Sequence, residues 1–137
     1  MQKILSWIRC KDGFRMSVQA SESHYSTPRE DGKFYTHVEI GYPSSHEESL
    51  KEWGDYGGEV FAYVPSGIVF DIIENHGGIR GGEIPPMIEV DENGKAVKRP
   101  LDEEYQNRTL NSPKIPGQFK KTKMGIEEVK DNDSQTN

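Results

Sequence analysis

Residues 14–21 read FRMSVQAS, so Phe14, Met16, Val18 and Ala20 alternate without a fault with Arg15, Ser17, Gln19 and Ser21. Successive side chains of a β-strand point to opposite faces, and strict period two therefore describes a strand with one face on a core and the other face open. That pattern belongs to an antiparallel sheet, because the strands of a parallel sheet are covered on both sides. The run predicts a sheet with an apolar inner face. It also nominates the polar row as the surface left free for recognition.

Flanking segments extend this reading. ILSWIRC, residues 4–10, is the strand before it, and Lys11-Asp12-Gly13 is the turn between them, since glycine tolerates the positive φ such turns need. Residues 21–33 have no period but contain Pro28 and Gly32, which predicts a long surface loop. FYTHVEIGY, residues 34–42, is a third strand, with Phe34, Thr36, Val38, Ile40 and Tyr42 on one face and Tyr35, His37 and Glu39 on the other. In residues 43–58, Ser45 followed by Glu48 has the spacing of a capping box for a short helix anchored by Leu50 and Trp53. EVFAYV, residues 59–64, is a fourth strand. Ser66 then caps a helix over residues 67–76, in which Ile68, Val69, Ile72 and Ile73 form a core-facing stripe and Gly77-Gly78 supplies the stop. The expected class is α+β: a small antiparallel sheet of about four strands covered by one main helix.

Only 32% of the 137 residues are hydrophobic, and they concentrate before Ile79. The last third, rich in Pro, Gly, Asn, Lys and Glu, has too little apolar surface to offset the entropy of ordering itself. These features divide the chain into a compact core over 1–86, a candidate hairpin over 87–100 around Asp91-Glu92-Asn93-Gly94, and a disordered, mobile tail over 101–137.

A net charge of -6 argues against direct binding of nucleic acid, which requires a basic surface to displace counterions from phosphates. The acidic residues are scattered, so mimicry of DNA is not indicated either. A single cysteine, Cys10, excludes an intramolecular disulfide and a multi-cysteine zinc site, and it fits a reducing compartment. The N-terminus lacks the apolar run of a secretory leader and no segment is long enough to cross a bilayer, so a cytoplasmic protein with no membrane partner is expected.

The polar row and the loop above it assemble Ser17, Gln19, His24, Tyr25, Arg29, Tyr35, His37 and Glu39 as a candidate binding set. Arg29 offers a planar fork for phosphate or carboxylate, Tyr25 or Tyr35 a stacking surface, and Ser17 and Gln19 hydrogen bonds. Against this stands the plain fact that a solvent-facing sheet surface is polar in any protein. His37 and Glu39 share a face and, with His24 or His46, have the composition of a two-histidine, one-carboxylate metal site, but the spacing is permissive and no metal or other cofactor is assigned. No catalytic residue is assigned. Cys10 alternates with Ile4 and Ile8 and reads as a buried, inert thiol. His76 closes the helix, where an imidazolium meets the negative end of the dipole. GGIRGGE, residues 77–83, leaves a helix rather than entering one and is not a phosphate loop.

The series CKDGFRMSVQAS (10–21), HYSTPR (24–29), YTHVEIGYPS (35–44), YVPSGIV (63–69) and ENHGGI (74–79) resembles a family of small uncharacterised proteins encoded by bacteriophages and prophages. The resemblance spans the part that periodicity marks as folded. It implies a phage origin and host-directed or accessory biology. The leading expectation is a non-enzymatic binding protein acting on a host or phage component, by sequestering either a protein or a small polar or phosphorylated ligand such as a nucleotide signal. The runner-up is a small hydrolytic or metal-assisted enzyme using His24, His37 and Glu39. A virion or assembly component is third.

Overall fold

The computed structural model describes residues 4–54, 57–97, 119–122 and 125–128. Its centre is a five-stranded antiparallel sheet of β1 (Ile8–Cys10), β2 (Arg15–Gln19), β3 (His37–Gly41), β4 (Val60–Pro65) and β5 (Ile79–Gly81), in the order β4-β3-β2-β1-β5. Helix α1 (Ser66–Asn75) buries Val69, Phe70, Ile72 and Ile73. These pack with Phe14, Met16, Val18, Val38, Ile40 and Val64 in one core. The α+β class read from period and stripe is the class observed.

The strand added to the expected four is β5, in the segment read as a glycine-rich exit. It carries one large apolar residue, Ile79, too few for any period to register. Its close approach to β1 depends on Gly82, at φ 95, where a Cβ would lie 2.5 Å from the Cα of Ile8 and would collide with the Trp7 carbonyl.

The capping expectations are corrected. Residues Glu48–Trp53 form a 3-10 helix preceded by Glu47, with no side-chain cap and no role for Ser45. Pro65, not Ser66, precedes α1; the Ser66 hydroxyl instead donates to the Tyr35 carbonyl at 2.8 Å. The helix start meets the Glu89 carboxylate: a Cβ on Gly67 would stand 2.8 Å from Glu89 Oε2, so a negative group occupies the positive end of the dipole.

Tyr35 was expected on the open face and is fully buried. The ladder of β3 begins only at His37, and at Tyr35 the chain pairs instead with the 86–88 segment: Tyr35 N–H donates to the Pro86 carbonyl at 2.8 Å and Ile88 N–H to the Tyr35 carbonyl at 3.0 Å. Ile84 and Met87 thereby join the main core, while Phe34 and Ile88 form a second cluster with Val90 and Ala96. Within the expected hairpin, β6 (Glu89–Val90) pairs with β7 (Ala96–Val97). Most of residues 101–137 lie outside the described ones; those described, β8 (Phe119–Thr122) and β9 (Gly125–Glu128), form an antiparallel ladder.

Ile72, 1% exposed between α1 and the sheet, tests this architecture. Ile72→Ala should lower the unfolding free energy by about 2–4 kcal/mol, through lost transfer energy and a residual cavity. Chemical denaturation measures it; a loss below about 0.5 kcal/mol would place α1 off the sheet.

Candidate functional site

The outer row of β2 is covered. Ser17 is 8% exposed and Gln19 5%, against the expectation of an open face. Residues 4–7 stand outside the β1–β2 ladder and form a strap that reaches the Gln19 side chain at Leu5. The Gln19 amide holds this strap at Leu5 by both backbone groups, accepting from Leu5 N–H at 2.9 Å and donating to the Leu5 carbonyl at 2.8 Å, and it also donates to Ser17 Oγ at 3.0 Å. Gln19 thus supplies the two hydrogen bonds that a neighbouring strand would make. Period two reports that a side chain points away from the core, and is silent on what the chain lays over it.

From the end of the strap at Trp7 outward, the exposed large hydrophobic side chains are aromatic. Trp7 stacks on Tyr42 with ring planes 5° apart and centroids at 5.8 Å. On the other side of Glu39, the ring of Tyr25 lies 5.8 Å from that of Tyr63, and the Arg29 guanidinium carbon stands 5.0 Å over the Tyr25 ring. Tyr25 and Tyr63 are 45% and 41% exposed.

Two features fix this second cluster. The register of β3 and β4 pairs Val38 with Val64 but Ile40 with Phe61, so Ala62 and Tyr63 both oppose Glu39 in a β-bulge, where Tyr63 has φ 54. The 21–33 loop then closes on the bulge: Tyr25 N–H donates to Glu39 Oε1 at 3.0 Å, and Tyr63 N–H to the Tyr25 carbonyl at 3.1 Å. Loop hydrogen bonds hold the rest, including Glu22 N–H to Asp31 Oδ1 at 3.0 Å and Tyr35 Oη to the Glu30 carbonyl at 2.6 Å. No ion pair of Arg29 occurs among the described residues, so its charge faces outward, backed by an aromatic ring.

His37 belongs elsewhere. It lines a cleft of about 280 Å³ with Thr36, Trp53, Pro65, Asp71 and Glu89 at the start of α1. Its Nδ1 is 2.9 Å from Thr36 Oγ1, and burial holds its pKa below the usual imidazole value, so the ring is neutral at pH 7. Of the two hydroxyls of this cleft, Ser66 Oγ donates to the Tyr35 carbonyl, and Thr36 Oγ1 lies against His37 Nδ1 and, at 3.4 Å, the Thr27 carbonyl. His24 lies apart, its Nδ1 2.7 Å from Ser21 Oγ. Cys10 is buried in the core with its thiol pushed up to about 11, by burial first and then by the charges of Asp12 and Glu47.

Of the eight residues read as one set, the structure brings together Tyr25, Arg29 and Glu39; Ser17 and Gln19 serve the strap, Tyr35 the core, His24 the loop and His37 the cleft. Tyr63, Trp7 and Tyr42 were missed. Their signal was weak: exposed aromatics beside strands are indistinguishable in sequence from core positions. Among the described residues no three His, Cys, Asp or Glu side chains gather as a metal site. No helix there is long and apolar enough to cross a membrane. The comparisons with known proteins give no match: no family model fits the chain, and no curated protein or solved structure is similar enough to be matched.

The covered position of Gln19 reverses what its alternation suggests about substitution. Gln19→Ala should cost about 1–3 kcal/mol, since it leaves the backbone groups of Leu5, in the strap, without their side-chain partner. A change within about 0.5 kcal/mol in a denaturant titration would mean that the strap does not depend on this amide.

Proposed function

We propose that this chain is a phage-encoded, non-enzymatic binding protein that engages a host or phage protein through the aromatic face centred on Tyr25, Arg29 and Tyr63. The supporting observation is the composition and fixity of that face: two exposed tyrosines and a guanidinium that stacks on one of them with no ion pair among the described residues, held by a bulge and a pinned loop. Interfaces draw most of their energy from small clusters of Tyr, Trp and Arg, whose flat side chains bury much surface at little entropic cost. Trp7 and Tyr42 extend the same face. The phage setting rests on the resemblance of residues 10–79 alone, and with it the role of counter-defence by sequestration in the host cytoplasm.

The enzyme reading loses its constellation. His24, His37 and Glu39 occupy three different environments: His24 lies against the Ser21 hydroxyl, Glu39 accepts from Tyr25 N–H, and His37 lies against the Thr36 hydroxyl. A small phosphorylated ligand is also less favoured than a protein, because the Tyr25 and Tyr63 rings are tilted by 49° against each other and leave no parallel slot for a base.

The test is a triple variant, Tyr25→Ala, Arg29→Ala and Tyr63→Ala, used beside the wild type to capture partners from infected cells. A hot-spot loss of about 2 kcal/mol corresponds to roughly 30-fold weaker binding, so the specific partner should disappear while the unfolding transition is kept. Undiminished capture by a folded triple variant would move the site off this face. Turnover of a small molecule by wild type, lost in His37→Ala, would instead establish the enzyme.

A further inference from the structure

His76 closes α1 with its imidazole between two carboxylates. Nδ1 is 2.6 Å from Oδ2 of Asp12, in the turn between β1 and β2, and Nε2 is 2.7 Å from Oε2 of Glu47, just before the 3-10 helix. The ring stacks on Phe14 with centroids 4.0 Å apart and planes within 8°. The backbone repeats the connection, Lys11 N–H donating to the Gly78 carbonyl at 3.0 Å and Asp12 N–H to the His76 carbonyl at 3.3 Å. Three separate segments therefore meet at one side chain.

An imidazolium carries two N–H donors and a neutral imidazole carries one. Two carboxylate acceptors are both satisfied only while His76 is protonated. Burial by itself would lower the pKa of His76, but the hydrogen bonds and charges of Glu47 and Asp12 outweigh it and hold the group above its ordinary 6.5. Once the proton leaves, desolvation decides which contact survives. The Glu47 side chain is 16% exposed and that of Asp12 49%, so Asp12 recovers hydration on release and Glu47 does not. Asp12 also keeps a second bond, Oδ1 accepting from Phe14 N–H at 2.9 Å.

We propose that His76 is a pH-operated latch: as an imidazolium it ties the β1–β2 turn and the Glu47 segment to the end of α1, and when neutral it keeps Glu47 through Nε2–H and releases Asp12. The other charged groups around it do not compete for this role. The Cys10 thiol stays neutral through the range, Lys11 lies with Nζ beside Gly78, Glu74 precedes His76 by two residues on the helix, and Glu48 is paired with His46 and Lys51. Asp12 is a carboxylate throughout, held below the usual range first by Phe14 N–H and then by His76. The sign follows from linkage. A base whose pKa is raised by folding contributes stability that is fully present below 6.5 and lost as pH rises through the raised value.

The test is an NMR titration of the full chain, following the ring nitrogens of His76 and the exchange of the Lys11 and Asp12 amides corrected for intrinsic pH dependence. Above the His76 midpoint the ring should be the Nε2–H tautomer, and protection of the Asp12 amide should fall by about threefold or more while that of Leu50, bonded to the Glu47 carbonyl, holds. His76→Gln should abolish the pH step in protection, and Asp12→Asn should lower the His76 midpoint. An Nδ1–H tautomer, a step that persists in His76→Gln, or a midpoint unmoved in Asp12→Asn would each overturn the latch; the last needs only the conservative variant.

Discussion

A sheet has two faces, and the described residues contain one α-helix to cover it. α1 takes the face of Met16, Val18, Val38 and Ile40, where apolar burial is worth about 25 cal/mol per Å² removed from water. The opposite face must then be wetted or covered by something other than a helix. The chain covers part of it with its own N-terminal strap, and the Gln19 amide makes this tolerable by pairing both backbone groups of Leu5. An unpaired strap lying over a sheet would carry backbone groups cut off from water on one side, a cost comparable to a lost hydrogen bond for each.

The same constraint organises the rest of that face. Where the strap ends, the β3–β4 ladder is broken by the bulge at Glu39, and the 21–33 loop uses the break as its docking point through Tyr25. A loop of this length without secondary structure is usually functional or disordered. Here its backbone is tied to β3, to β4 and to itself, which gives Tyr25 and Arg29 fixed positions rather than a choice of many. Rigid presentation of this kind lowers the ordering cost of any association, which is why the proposed binding role is placed here.

The inner half of the fold was legible because burial writes a period. The alternation of β2 and the stripe of α1 are consequences of contact with one core, and each appears in the residues themselves. The outer half was illegible for a matching reason: whether Ser17 and Gln19 meet water or Leu5 depends on where residues 4–7 travel, which no local pattern records. β5 escaped notice because three residues cannot show a period, and Tyr35 was misplaced because alternation was extended beyond the ladder that justifies it. Within the candidate site, Tyr25, Arg29 and Glu39 were found through their chemistry, whereas Tyr63 depends on a bulge visible only when β3 and β4 are aligned.

That bulge also bears on why the face is aromatic. Tyr42 and Tyr63 are the non-glycine residues at positive φ among those described, at 52° and 54°. Bulky side chains there cost of order 1–3 kcal/mol, and strain of this kind persists where surrounding structure enforces it. Glycine at either position would relieve the backbone and delete a ring that is about half exposed and contributes little to the core. Both strained residues instead carry aromatic rings into the outer face, one against Trp7 and the other against Tyr25. Stability alone gives no reason to keep such residues at such angles; a surface that must present rings in a set arrangement does. The strain and the exposure therefore both support the proposal that puts recognition on the outer face rather than in the cleft.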